Sequence, residues 1–153
     1  MQPSNLLPWM SNSKEINDVD SGSDFKNAYN IYIKDPSKEI RIPIIFFTDK
    51  THTDNHGRLC LQPLQLILGI FKREIRSNPK AWRTIGYITD TITTGKITTQ
   101  QKLQDYHTVV SFILQSYKDC QIKPVKWIFR HEDTVKQYIL KLPTLFIIGD
   151  TEE

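Results

Sequence analysis

The stretch Ile40-Arg-Ile-Pro-Ile-Ile-Phe-Phe-Thr-Asp49 decides the fold of this chain. It is apolar at consecutive positions from Ile42 to Phe47, which is typical of a central strand covered on both faces. Pro43 is expected near the start of the strand, because proline cannot donate to a ladder. A second run of the same kind, Pro143-Thr-Leu-Phe-Ile-Ile-Gly-Asp150, also ends in an aspartate and predicts a second buried strand.

The segments between these two runs predict an α+β (or α/β) domain. Residues 25–34 fit a short helix or a strand, and we favour the helix. Apolar runs at 59–71, after a turn at 54–57, and at 82–88 predict an antiparallel meander with the first strand. Apolar residues at spacings of three and four predict a helix over 99–119, with Thr98 or Thr99 as its N-cap. A hairpin is predicted from 125–130 and 134–142.

The composition fits one domain that begins near Phe25. The chain has 153 residues and a formal charge of +3, which permits a polyanionic partner without requiring one. Residues 1–24 include a polar stretch and are predicted to form a flexible tether. Two cysteines are too few for a structural zinc site, so we expect reduced thiols. Because we find neither a signal peptide nor a membrane span, we expect an intracellular protein.

The two strand-end aspartates are the candidate metal ligands. Carboxylates at the carboxyl ends of neighbouring strands converge on one crevice. Asp49 and Asp150 would then offer the oxygen ligands that Mg²⁺ or Mn²⁺ prefers, with His52 as an outer hydrogen-bonding group. The alternative is that each aspartate begins a turn, for which this residue type is also favoured.

A basic segment is the candidate DNA-binding element. Its cations could contact a phosphate backbone while its tryptophan stacks on a base; the residues are Lys72, Arg73, Arg76, Lys80, Trp82 and Arg83. The alternative is a solvated connection that Trp82 anchors to the core.

The block around Asp49 resembles the first catalytic strand of Plavaka-like transposases, which are cut-and-paste DNA elements of eukaryotes. The resemblance covers roughly residues 40–152 and rests on Ile42-Pro-Ile-Ile-Phe-Phe-Thr-Asp-Lys-Thr-His52, Leu68-Gly-Ile-Phe-Lys-Arg-Glu-Ile-Arg76, Pro79, Trp82, Gly86-Tyr-Ile88 and Leu142-Pro-Thr-Leu-Phe-Ile-Ile-Gly-Asp-Thr-Glu152. The stretch 91–141 matches only in its layout of a helix followed by strands.

The resemblance implies a partial ribonuclease-H-like fold, in which three antiparallel strands, a helix and an extra hairpin precede a strand parallel to the first. It implies DDE/D nuclease and strand-transfer chemistry with two Mg²⁺ ions. Asp49 matches the first acid and Asp150 the second, with Lys50 and His52 beside the first. A third acid is expected on a later helix, and no residue is assigned to it.

These observations lead to two functional hypotheses. In the first, residues 25–153 are a truncated catalytic domain of a DNA transposase. The intact parent protein would act on double-stranded transposon ends in the nucleus and could be an oligomer. This chain alone is expected to be inactive. In the second, the chain is a non-catalytic interaction or DNA-binding module derived from a mobile element. An acidic residue on a downstream helix would favour the first.

Overall fold

A computed structural model describes residues 18–19, 22–52, 60–89, 98–131 and 134–149. The helices are α1 (Ser23–Tyr32), α2 (Arg73–Arg76), α3 (Thr99–Ile113) and α4 (Gln115–Ile122), with a 3-10 turn at Pro79–Ala81. The strands are β1 (Glu39–Arg41), β2 (Ile44–Thr48), β3 (Thr51–His52), β4 (Cys60–Leu68), β5 (Arg83–Thr89), β6 (Val125–His131), β7 (Thr134–Lys141) and β8 (Thr144–Gly149). The predicted turn at 54–57 and most of the predicted tether lie outside the described residues.

The main sheet has five strands, and β2 lies inside it. β4 pairs antiparallel with β2 and β3 along one edge and with β5 along the other. β8 pairs parallel with the free edge of β2. The predicted antiparallel meander and the predicted α+β class are therefore confirmed. A final strand parallel to and beside the first is also confirmed, and the arrangement is consistent with a partial ribonuclease-H-like fold.

The predicted first strand is divided between two sheets. Its beginning forms β1, which pairs parallel with β7 in a three-stranded sheet of order β1-β7-β6. Its remainder forms β2, and the break falls at Ile42 and Pro43, where the proline cannot donate to a ladder. The same break recurs at Pro143 between β7 and β8, so both chain segments cross from one sheet to the other side by side.

The helix predicted over 99–119 is present but divided. Thr98 is the N-cap: its hydroxyl accepts from the Gln101 amide, while the Gln101 side chain accepts from the Thr98 amide. α3 ends at Ile113, Leu114 leaves helical geometry, and α4 then continues to Ile122. Ile113 at the end of α3 lies against Gly86 of β5, and Tyr117 of α4 packs on Phe46 of β2. None of the described helices is long and apolar enough to cross a membrane.

The two faces of the main sheet have different covers. On one face, the Tyr117 ring packs edge-on against Phe46, with centroids 5.2 Å apart, and its hydroxyl donates to the Leu142 carbonyl at 2.7 Å. On the other face, Trp82 packs edge-on against Phe47 at 5.8 Å. Because neighbouring residues of a strand face opposite ways, β2 is covered on both sides as its sequence predicts.

Helix α1 confirms the helical alternative for residues 25–34, and it docks on a buried arginine. The Arg41 guanidinium lies 3.8 Å from the centroid of the Phe25 ring and donates to the Phe25 carbonyl. Both residues are buried, and desolvation lowers the pKa of Arg41. Cation–π attraction strengthens when water is excluded, so this contact attaches α1 to β1.

The predicted burial of the last strand is wrong. Phe146, Ile147 and Ile148 are 45%, 72% and 48% exposed. β8 lies at the end of the sheet, where β2 covers only one of its edges. An apolar sequence indicates that a strand is suited to burial, but its position in the sheet decides whether burial occurs.

The substitution Gly86→Ala is expected to destabilise the fold by about 1–3 kcal/mol, through overpacking. A Cβ at this position of β5 would lie 2.8 Å from side-chain atoms of Ile113 on α3. Urea unfolding measures the cost. In an Ile113→Val background, which removes one of the crowded carbons, the same substitution should cost less, and an equal cost in both backgrounds would contradict this close packing.

A second expectation concerns Glu39 at the start of β1. The backbone amide of Lys34 donates to its carboxylate at 2.6 Å, that of Asp35 at 3.1 Å, and the Lys141 ammonium lies 3.3 Å away. The Lys34 amide is the largest of these causes, and together they hold the pKa of Glu39 below 4.5. Its contribution to stability is therefore present above that pH and lost as the pH falls through the lowered value.

Glu39→Gln should accordingly lower the urea midpoint at neutral pH, and the difference from the native chain should vanish in acid. Glu74→Gln is the matched control, because Glu74 is an exposed residue of α2, and its substitution should change little at either pH. A difference for Glu39→Gln that persists unchanged at about pH 3 would refute the ionic contribution.

Candidate functional site

Asp49 lies at a gap between two strands that pair with the same partner. β2 ends at Thr48, opposite Leu64, and β3 begins at Thr51, opposite Leu61. The same register places Asp49 opposite Pro63. Since proline has no N–H to donate, the ladder is interrupted there, and the half-exposed Asp49 is left at the gap.

Asp150 lies outside the described residues, but the residue before it is well defined. Gly149 is the last residue of β8 and pairs with Thr48, which is the residue before Asp49. A Cβ on Gly149 would lie 3.3 Å from Cγ2 of Thr48, so the two strands leave little room here for a larger residue. The strands that lead to the two aspartates are thus adjacent, parallel and in register.

The other predicted residues of this site lie beside Asp49. Lys50 is exposed, and His52 belongs to β3, paired with Cys60. Within the part of the chain that the structure describes, no group of three or more His, Cys, Asp or Glu residues is placed to hold a metal. The metal site at Asp49 and Asp150 therefore stays a prediction. Neither Cys60 nor Cys120 forms a disulfide.

The basic segment forms a compact connection between β4 and β5. Lys72 is the N-cap of α2, and the exposed Arg73 follows it. Arg76 points inward: its guanidinium donates to the Asp18 carboxylate, and the two side chains are only 13% and 15% exposed. The Arg73 amide donates to the same carboxylate at 3.2 Å. This part of the segment is fixed by an ion pair with a residue from the predicted tether.

Trp82 serves as an anchor for the same connection. Its indole N–H donates to the Arg76 carbonyl at 2.8 Å, and its half-buried ring packs on Phe47. Arg83 is exposed, although its guanidinium donates to the Lys80 carbonyl at 2.8 Å. Of the six predicted DNA-binding residues, four are exposed, namely Lys72, Arg73, Lys80 and Arg83. Trp82 and Arg76 are engaged inside the fold, in agreement with the anchoring alternative.

Asp49 and Trp82 belong to the same face of the main sheet. Asp49 is two residues after Phe47, and residues two apart along a strand face the same way. Trp82 packs on Phe47, whereas the α4 residue Tyr117 packs on Phe46 and thus on the opposite face. Trp82 therefore lies on the face to which Asp49 belongs, and α4 covers the other. Arg83 belongs to the α4 side, because β4 sets it opposite Leu66, which is itself opposite Phe46.

Two features of the surface were not predicted from the sequence. Asp18 was hidden in a polar stretch that carries no periodic signal, and only the fold brings it to Arg76. The hairpin of β6 and β7 exposes aromatic residues, and the alternation Trp127-Ile-Phe129 on a strand was a signal that could have found them.

The free energy of unfolding should depend on Arg76, which is engaged inside the fold, and not on the exposed Lys72. Arg76→Gln is expected to lower the free energy of unfolding by about 1–3 kcal/mol, because it leaves the half-buried Asp18 carboxylate without its cation. Lys72→Gln, the matched exposed control, should change it by less than about 0.5 kcal/mol. Urea unfolding of both variants makes the comparison, and native stability of Arg76→Gln would contradict the anchoring role.

The sequence and the fold were compared with known proteins. No curated protein and no solved structure gave a significant match. A family model described as Plavaka transposase matches residues 2–153, which is nearly the whole sequence. With this match, the chain belongs to the Plavaka transposase family.

Proposed function

We propose that this chain provides the first two acids of a cut-and-paste transposase core, with Asp49 and Asp150 as ligands of Mg²⁺ or Mn²⁺. The observation that supports this most is the parallel pairing of β2 with β8. It sets Thr48 opposite Gly149, so each aspartate follows directly on a paired position. Family membership implies interaction with DNA, the substrate on which such acids would act.

The donor set fits the proposed ion. Both residues are carboxylates, which are hard oxygen ligands, and Asp49 is half-exposed and therefore reachable from solvent. When bound, a pair of such ions supplies activation of a water or 3′-hydroxyl and stabilisation of charge during in-line displacement at phosphorus. The protein's part is to hold two carboxylates at one edge of a sheet, with rigid strands setting their separation.

The exposed cations of the basic segment would position the DNA. Lys72, Arg73 and Arg83 are exposed, and contacts from such side chains to phosphates fix a duplex without reading its sequence. The DNA would be the double-stranded ends of a transposon, and a nuclear location follows from that substrate. We expect no strand cleavage by this chain alone, because no third acid is assigned.

The alternative is a non-catalytic DNA-binding or interaction module of the same family. It is favoured by the large apolar side chains that the described fold leaves exposed, such as Trp127 and Phe129. The two proposals differ in one measurable property, which is whether Asp49 and Asp150 bind a divalent cation together.

Calorimetric titration of Mg²⁺ and Mn²⁺ into the native chain tests this difference, with thermal unfolding as the second readout. A ligand that binds only the folded state raises apparent stability, so the proposal expects binding heat together with a higher melting temperature. Asp49→Asn and Asp150→Asn, singly and together, should abolish both effects, because each substitution removes one charged ligand at nearly constant volume.

Asp105→Asn is the matched control, since Asp105 is an exposed carboxylate on α3. It should bind metal as the native chain does. If the double variant binds Mn²⁺ as tightly as the native chain, the two aspartates are not ligands and the non-catalytic alternative is preferred. The same conclusion follows if the native chain binds no metal at millimolar concentration.

A further inference from the structure

The β6–β7 hairpin presents aromatic side chains on one of its faces. Seven residue pairs join the strands, with Trp127 opposite Tyr138 and Phe129 opposite Lys136. The Phe129 ring lies 5.6 Å from the Tyr138 ring and 6.4 Å from the Trp127 ring, between centroids. We call Trp127, Phe129 and Tyr138 the aromatic face of the hairpin.

This face is buried at the root of the hairpin and open towards its tip. Val125 pairs with the buried Leu140 at the root, and both belong to the same side of the ribbon as Trp127. Further along, Trp127 is 53% exposed and Phe129 is 40% exposed. β6 is also the edge of its sheet, and its residues 126–130 are all exposed. The core of the described domain therefore does not use these rings.

Positive charge is concentrated on the same hairpin. Residues 123–141 contain five cations, Lys123, Lys126, Arg130, Lys136 and Lys141, and two acids, Glu132 and Asp133. Their net charge is +3, of which one charge belongs to Lys141 and is paired with Glu39. Lys136 lies on the aromatic side beside Phe129, while Lys126 and Arg130 lie on the reverse side of β6. A polyanion is the partner that this charge favours.

We propose that the aromatic face binds single-stranded nucleic acid, with unpaired bases stacked on Trp127 and Phe129 and a phosphate beside Lys136. Open aromatic rings combined with cations are the features of single-strand binding surfaces, since every base has a stackable face. Paired bases of a duplex already stack on one another and offer no such face. A second copy of this chain is a less favourable partner, because each copy has a formal net charge of +3 and like charges repel.

This inference is independent of the proposed metal site. It rests on the hairpin, whereas the metal proposal rests on β2 and β8, and either can fail without the other. The two are compatible, because cutting and unpairing of DNA ends produce the unpaired bases that this surface would hold.

Fluorescence anisotropy with a labelled oligo-dT of about 12 nucleotides tests the proposal, in EDTA so that no metal site contributes. Trp127→Ala should weaken binding roughly tenfold, in the range of one lost stacking contact, and Trp127→Phe should retain most of the affinity. Lys136→Gln should reduce the slope of log K against log salt by about 0.7, the value for one phosphate contact on a single strand. Trp127→Ala should leave that slope unchanged.

The matched control is Ile128→Ala, an equally exposed apolar residue on the reverse side of the same strand. It should bind as the native chain does, and urea unfolding verifies that every variant is folded. Oligo-U in place of oligo-dT tells whether RNA or DNA supplies the bases, and tight binding to either supports the proposal.

Three results would overturn it. One is equal loss of affinity in Trp127→Ala and Ile128→Ala. Another is binding to a blunt duplex as tight as to oligo-dT and insensitive to Trp127. The third is a dimer of the native chain in analytical ultracentrifugation that Trp127→Ala converts to monomer without changing oligo-dT affinity; the aromatic face would then bind a second copy.

Discussion

The rest of the structure depends on one parallel pairing between two segments that lie 100 residues apart. Glu39 pairs with Ile139, Arg41 with Lys141 and Ile44 with Thr144, so the register holds across the boundary between the two sheets. Amides of the first segment donate to the Lys141 and Pro143 carbonyls at 2.8 Å on either side of Pro43, which keeps the ladder continuous where neither proline can donate. This shared crossing joins both sheets into one domain.

That pairing also sets the positions of the two surfaces to which we assign functions by proposal. Towards the carboxyl ends of the strands it reaches Thr48 and Gly149, the paired residues that precede Asp49 and Asp150. In the other direction it runs into β7, the inner strand of the aromatic hairpin. Tyr117 secures the crossing from the helix side through the Leu142 carbonyl. The crossing between the two sheets thus lies between the strand ends that precede the two aspartates and the β6–β7 hairpin that carries the aromatic face.

Local sequence signals predicted the helices and strands well, but they predicted sheet membership, burial and side-chain contacts less well. Apolar runs identified β2, β4, β5 and β8, and the hydrophobic spacing and Thr98 identified α3, because these signals depend on neighbouring residues. The division of residues 40–49 between two sheets depends on the partner at 139–144, which no local pattern contains. Contacts between distant parts of the chain likewise decide that Ile147 is exposed, that Arg76 pairs with Asp18 and that Trp82 packs on Phe47. At the candidate site, the sequence predicted the two strands that precede the aspartates, and the role of the aspartates stays a prediction. The gap at Asp49 arises from Pro63 on another strand.

The long separation of the paired segments has a consequence for biosynthesis. β2 can pair with β4 early, but its second edge stays open until residues 144–149 have left the ribosome, roughly 5–20 s later at ordinary elongation rates. During that interval an apolar strand, Ile44–Thr48, presents unpaired amides and carbonyls, which is the arrangement that promotes intermolecular sheet formation. The nascent chain should therefore be slow to fold and dependent on chaperones, because closing a loop of this length precedes the contacts that stabilise it.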